Sequence, residues 1–174
     1  MKEKNLMKSI ISSYAYVNRV IKIINKNVLY KGINSCNTYG FYDTLSVMNE
    51  MAELVERKRK LQTLKELTED CLKSLPEADS KVLILKFVEK FSNEKIGLLL
   101  NKSSRTVCRL FDKALLKAYD YFCQQGFNYL TLTKFLKSEK WILNRIEDSK
   151  TNKLLLTKTG SFSKDNIFSS FVWN

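Results

Sequence analysis

At 174 residues the chain has room for one full domain, or for a small domain with helical additions, and its 44 % apolar and 28 % charged content excludes wholesale disorder. Thirty Lys and Arg against 18 Asp and Glu give a formal net charge of +12 and a sequence pI of about 9.5, which points to a polyanionic partner. There is no histidine, and Cys36, Cys71, Cys108 and Cys123 form no C-x-x-C pair, so neither a metal site nor a cofactor is expected. Cys71 and Cys108 fall in predicted helices as small hydrophobes, and a reducing, cytoplasmic setting is expected.

Leu6, Ile10, Tyr14, Val17, Ile21 and Ile24 recur at three- and four-residue spacing and predict an amphipathic helix over 5–27. Ser9, Ser12, Ser13, Asn18, Arg19 and Lys22 interrupt it, so neither a secretory leader nor a membrane span is expected. Residues 31–42 hold two of the five glycines among Asn and Ser and predict a loop, closing an N-terminal unit over 1–42. Asp43 or Thr44 then caps a long connecting helix over 43–75. Its apolar stripe is Leu45, Met48, Ala52, Val55, Leu61, Leu64, Leu67, Cys71 and Leu75, broken by the charged run from Glu56 to Lys60. Such a stripe predicts internal packing; a homo-oligomer formed through the N-terminal helices is the alternative use of these faces.

Pro76, the only proline, ends the long helix and suits the first turn of the next, over 77–90, with Val82, Leu83, Leu85 and Phe87 as its core side. Ser92 caps a short helix whose buried side is Ile96, Leu99 and Leu100, and Asn101 stands where a left-handed residue is needed. Ser103 caps a further helix with Val107, Leu110, Phe111, Ala114, Leu115 and Ala118 on its inner face. Residues 76–125 thus form one unit, a helix-turn-helix. In a C-terminal extension over 126–174, Phe127, Leu130, Leu132, Phe135, Leu136, Trp141, Ile142 and Ile146 predict one or two helices covering the motif. From Asp148 onward helical spacing is lost, and a hairpin around Gly160 competes with a poorly defined tail. The expected fold class is an all-α helical bundle.

A helix-turn-helix reads duplex DNA by laying its second helix in the major groove, on a scaffold helix held by a short turn. Ile96 and Leu99 are placed to meet Val107, Leu110 and Phe111, and Gly97 suggests close helix approach. The predicted DNA-binding residues are Lys102, Ser103, Ser104, Arg105, Thr106, Cys108, Arg109, Lys113 and Lys117. Arg105 and Arg109 lie one turn apart and suit bidentate contact to guanine, Ser104 and Thr106 suit phosphates or base edges, and Lys102, Lys113 and Lys117 suit phosphates. Lys81, Lys86, Lys90 and Lys95 would widen that footprint. No glycine-rich phosphate loop or acidic cluster at metal-ligand spacing accompanies the missing histidine, so no enzyme is expected; Glu66, Glu69 and Asp70 read as a solvated face.

The segment resembles the fourth region of bacterial sigma factors, which binds the promoter element near position −35. The likeness is carried by Leu75-Pro76, by V-L-x-L from Val82 to Leu85, by S-x-E-x-I-G-x-x-L from Ser92 to Leu100, by S-x-x-x-V from Ser103 to Val107, and by K-A-L from Lys113 to Leu115. It implies groove contacts at Ser104, Arg105, Thr106, Cys108 and Arg109, and RNA polymerase as a partner beside double-stranded DNA. Asn101 stands where the family usually has glycine, and Cys108 where a polar or basic residue is common, so the family's sequence preference is not carried over. The first 70 residues carry no melting motif of a sigma factor. A long helix followed by such a motif is similar to small regulators of bacteriophages and mobile elements. The expected function is a sequence-specific, double-stranded-DNA-binding transcription regulator; a divergent or minimal sigma factor and a DNA-packaging or other nucleic-acid assembly protein are the alternatives.

Overall fold

A computed structural model describes residues 2–37 and 44–144. Ile146 and the expected hairpin at Gly160 lie outside the described residues. The described chain is all-α: α1 (Lys2–Asn37), α2 (Thr44–Ser74), α3 (Glu77–Leu83) running into one π-helical turn (Ile84–Val88), α4 (Asn93–Leu100), α5 (Ser104–Gln124) and α6 (Tyr129–Phe135), then a helical turn over 140–144.

α1 and α2 form an antiparallel hairpin. Tyr14 reaches Glu69 and Lys31 reaches Glu50, so residues advancing along one helix meet residues receding along the other. The loop expected over 31–42 does not begin at Lys31, because α1 stays helical through Gly32 to Asn37; positions 38–42 lie outside the described residues. Glycine costs a helix about 1 kcal/mol relative to alanine, and beside Gly32 the ion pair of Lys31 with Glu50 ties this part of α1 to α2. The apolar stripe of α2 is buried only in its second half. Leu61, Leu64, Cys71 and Leu75 are buried as expected, whereas Leu45, Met48, Ala52 and Val55 are exposed. Met51 and Leu54 face inward instead, continuing the three-and-four spacing of the buried half.

The buried side chains form one core. Leu6, Met7, Ile10, Ile11 and Val17 place the first half of α1 inside it, against α2, α5 and the π turn. Two polar residues in this half are buried too: Ser13 satisfies its hydroxyl by donating to the Ile10 carbonyl at 2.7 Å, and Ser9 lies beside it. Cys71 is fully buried, and burial pushes its thiol up to about 12, so it stays protonated.

The C-terminal extension covers the far end of the motif, on the C-terminal half of α5, and continues onto α2, away from the turn between α4 and α5. Tyr129 donates its N–H to the Tyr119 hydroxyl at 3.1 Å, and Phe127 and Phe135 meet edge to face. Leu132, Leu136 and Ile142 are buried, but Leu130 is exposed. Glu139, 1 % exposed, accepts from Arg57 Nε at 2.6 Å and Nη2 at 3.0 Å, and from Trp141 Nε1 at 2.6 Å. The charged run that breaks the α2 stripe is therefore where the extension is bound, and Glu139 holds the Arg57 guanidinium above its ordinary range.

Candidate nucleic-acid interface

The turn between α4 and α5 is built from its own backbone. Ser92 caps α4 by accepting the Lys95 N–H at 3.2 Å, and Asn101 ends it in the left-handed region at φ 51° and ψ 46°. The N–H of Lys102 returns to the Gly97 carbonyl at 2.8 Å and that of Asn101 to Leu98 at 3.3 Å, a Schellman arrangement that satisfies the orphan carbonyls at the helix end. Gly97 is required by that return. A Cβ there would lie 2.6 Å from the Lys102 carbonyl oxygen. Ser103, the third residue after α4, caps α5 by accepting the Thr106 N–H at 3.2 Å.

Ile96, Val107 and Phe111 are buried between α4 and α5, and Phe87 meets Phe111 edge to face at 5.9 Å. Leu99 does not join them. It is 55 % exposed, and Leu100, one turn beyond Ile96, takes the inner position.

The start of α5 projects outward as a polar and basic surface. Lys102, Ser103, Ser104, Arg105, Thr106, Cys108, Arg109 and Lys113 are all exposed, with Arg105 and Arg109 on one face. The Ser103 and Thr106 hydroxyls bond each other at 2.8 Å, so both are partly engaged in the cap. Cys108, expected as a small hydrophobe, is exposed; its sulfur accepts from Asn93 Nδ2 at 3.3 Å, and Asn93 in turn accepts from Lys86 Nζ at 2.6 Å. Asn93 is a neighbour of the reading face that the sequence pattern does not pick out, since its contact depends on the crossing of α4 and α5.

Lys117 stands apart from this surface. Its ammonium is turned toward Asp79, 5 % exposed, and ties α5 to α3. Of the flanking lysines, Lys81 and Lys95 are exposed, the latter over the Phe91 ring, whereas Lys86 is half-buried. Lys90, in the left-handed region at φ 58°, donates to the Tyr16 hydroxyl at 2.6 Å. Asp112, the acid on the outer face, is met by Lys4 of α1 at 3.2 Å, which offsets its repulsion of a polyanion. Among the described residues no acidic, cysteine or histidine group is arranged to hold a metal, and no helix is long and apolar enough to cross a membrane.

This is the architecture of a sigma-type helix-turn-helix, a DNA-binding module. Residues 65–117 match the family model described as sigma-70, region 4, from the last turns of α2 into α5. No curated protein and no solved structure matches the chain.

Proposed function

We propose that the protein is a sequence-specific, double-stranded-DNA-binding transcription regulator that reads the major groove with the first turns of α5. The observation that carries this reading is the exposed Arg105 and Arg109 pair on a capped helix start, set by a turn of sigma-70 region 4 type. Each guanidinium has the donors for a bidentate contact to guanine, worth about 1–3 kcal/mol of discrimination. Ser104 and Thr106 supply hydroxyls for phosphates or base edges, Cys108 presents an apolar edge, and Lys102 and Lys113 neutralise phosphates. Ser103 serves first as the cap.

RNA polymerase is the protein partner in this reading, within the cytoplasm. The surface available to it is the distal end of the α1–α2 hairpin, where Leu29, Tyr30, Ile33, Leu45 and Met48 are exposed. Homo-oligomerisation is the alternative use of that end, and sedimentation with and without polymerase separates the two. The DNA-binding reading is tested by selecting bound sequences from a random duplex pool and comparing their affinity with random duplex over a salt series. A recovered consensus whose advantage disappears in Arg105→Ala/Arg109→Ala is expected; equal binding to all sequences at every salt concentration overturns it.

A further inference from the structure

The reading helix is not the only basic surface on this molecule. α1 carries one acid, Glu3, in its 36 residues, against Lys2, Lys4, Lys8, Arg19, Lys22, Lys26 and Lys31. Lys8, Ala15, Arg19, Lys22 and Lys26 follow one another at spacings of seven, four, three and four, so they share one face of the helix. All five are exposed, and none of the four cations has an ion-pair partner among the described residues.

Two contacts fix α1 relative to the groove-reading surface. Lys4 touches Asp112, which follows Arg109 by three residues on the outer face of α5. Tyr16 is held by Lys90 just ahead of α4, whose Asn93 touches Cys108. α1 therefore meets the outer face of α5 at Asp112, one turn beyond Arg109, and reaches Lys90 just ahead of α4 through Tyr16.

We propose, resting on the DNA-binding reading above, that the Lys8, Arg19, Lys22 and Lys26 face of α1 is a second contact surface for the backbone of the same duplex. From Lys8 to Lys26 the helix rises by about 27 Å at 1.5 Å per residue, a span of roughly 8 base pairs at 3.4 Å per step. Ile23, 44 % exposed, lies at the edge of this face, and the cations themselves are interleaved with nothing more apolar than Ala15. A protein interface draws its core from aromatic and apolar groups and disfavours lysine, whereas phosphates are met by regularly spaced cations on long side chains. The surface thus suits nucleic-acid backbone better than an acidic protein, and it reads no sequence.

The test uses the full chain and a duplex recovered by selection, extended by about 15 base pairs on either side. In Arg19→Gln/Lys22→Gln/Lys26→Gln the slope of log affinity against log salt should shrink by about 2 to 3, at roughly 0.9 for each phosphate no longer neutralised. Hydroxyl-radical protection should shorten on one side only, and the ratio of specific to random binding should stay unchanged. An unchanged slope and footprint in a variant with parental circular dichroism overturns the proposal, as does loss of polymerase binding with the DNA slope intact. Should the triple variant unfold, Lys22→Gln/Lys26→Gln gives the same reading with a slope smaller by about 2. A parent that prefers no sequence sinks the DNA-reading function itself; a selective parent matched by its variant sinks only the role of α1.

Discussion

Gly97 and Lys102 close the helix-turn-helix turn on each other: the Lys102 N–H bonds the Gly97 carbonyl at 2.8 Å, while the Lys102 carbonyl occupies the space a Cβ on residue 97 would need. Helix propensity alone would make Gly97→Ala favourable by about 1 kcal/mol. The 2.6 Å approach reverses the sign, because the obstructing atom is backbone. Gly97→Ala should lower stability in urea by about 1–3 kcal/mol and weaken duplex binding. Parental stability in that variant would show that the turn yields to the added methyl group.

Asn101 offers the converse case. Its left-handed backbone is one that asparagine tolerates and most residues do not. Asn101→Gly should therefore be close to neutral, and Asn101→Val should cost about 1–2 kcal/mol. Urea midpoints for the two variants check the ordering; equal costs would mean that the side chain matters and the backbone does not.

The helix-turn-helix was legible in the sequence because its determinants are local. Ser92, Asn101 and Ser103 act within a few residues of themselves, and Ile96, Val107 and Phe111 sit where helical spacing puts them. What stayed hidden depends on distant partners. The approach of α1 to the interface rests on Tyr16 with Lys90 and Lys4 with Asp112, and the docking of the extension on Arg57 with Glu139, 82 residues apart. By spacing alone Glu69 belongs to a solvated face, but it accepts from Tyr14, because α1 lies over that side of α2. No periodicity within one segment carries such pairings.

The Arg57–Glu139 pair predicts an asymmetry between its two truncations. Arg57 is 30 % exposed and can turn to water when Glu139 is lost, whereas Glu139 is 1 % exposed and has no such escape. Arg57→Ala should cost about 3–5 kcal/mol, the range for stranding a buried charge, and Glu139→Ala less. The double variant should recover part of the larger loss. Denaturation of all three checks this, and equal single losses would refute the burial argument.

The Tyr14–Glu69 hydrogen bond, at 2.6 Å, gives stability a pH signature at both ends. The Tyr14 hydroxyl, with Lys65 and Lys73 nearby, holds the Glu69 carboxyl below its usual range, and Glu69 pushes the Tyr14 phenol up to about 12. For the lowered carboxyl the contribution is present above its unfolded value of about 4.3 and is lost as pH falls through the folded one. For the raised phenol it is complete below about 10 and is lost as pH rises toward about 12. Tyr14→Phe should thus cost on the order of 1 kcal/mol between pH 6 and 9. The gap from the parent should close at both extremes; one that stayed constant to pH 12 would disconnect the pair from stability.

Lys113 and Lys117 lie four residues apart on α5 and should fail in different ways. Lys113 is exposed, so Lys113→Ala should weaken all duplexes alike and lower the salt slope by about 1, at roughly 0.9 for each neutralised phosphate. Lys117 is held by the buried Asp79 between α3 and α5, so its removal leaves a buried carboxylate without its cation. Lys117→Ala should leave the salt slope intact and lower stability by about 3–5 kcal/mol, the range for stranding a buried charge. Asp79→Asn should soften that loss when combined with Lys117→Ala, since the amide carries no charge to strand. Salt titrations and urea unfolding of the same four proteins separate the roles: a reduced slope in Lys117→Ala with full stability would return this lysine to the phosphate-contacting set.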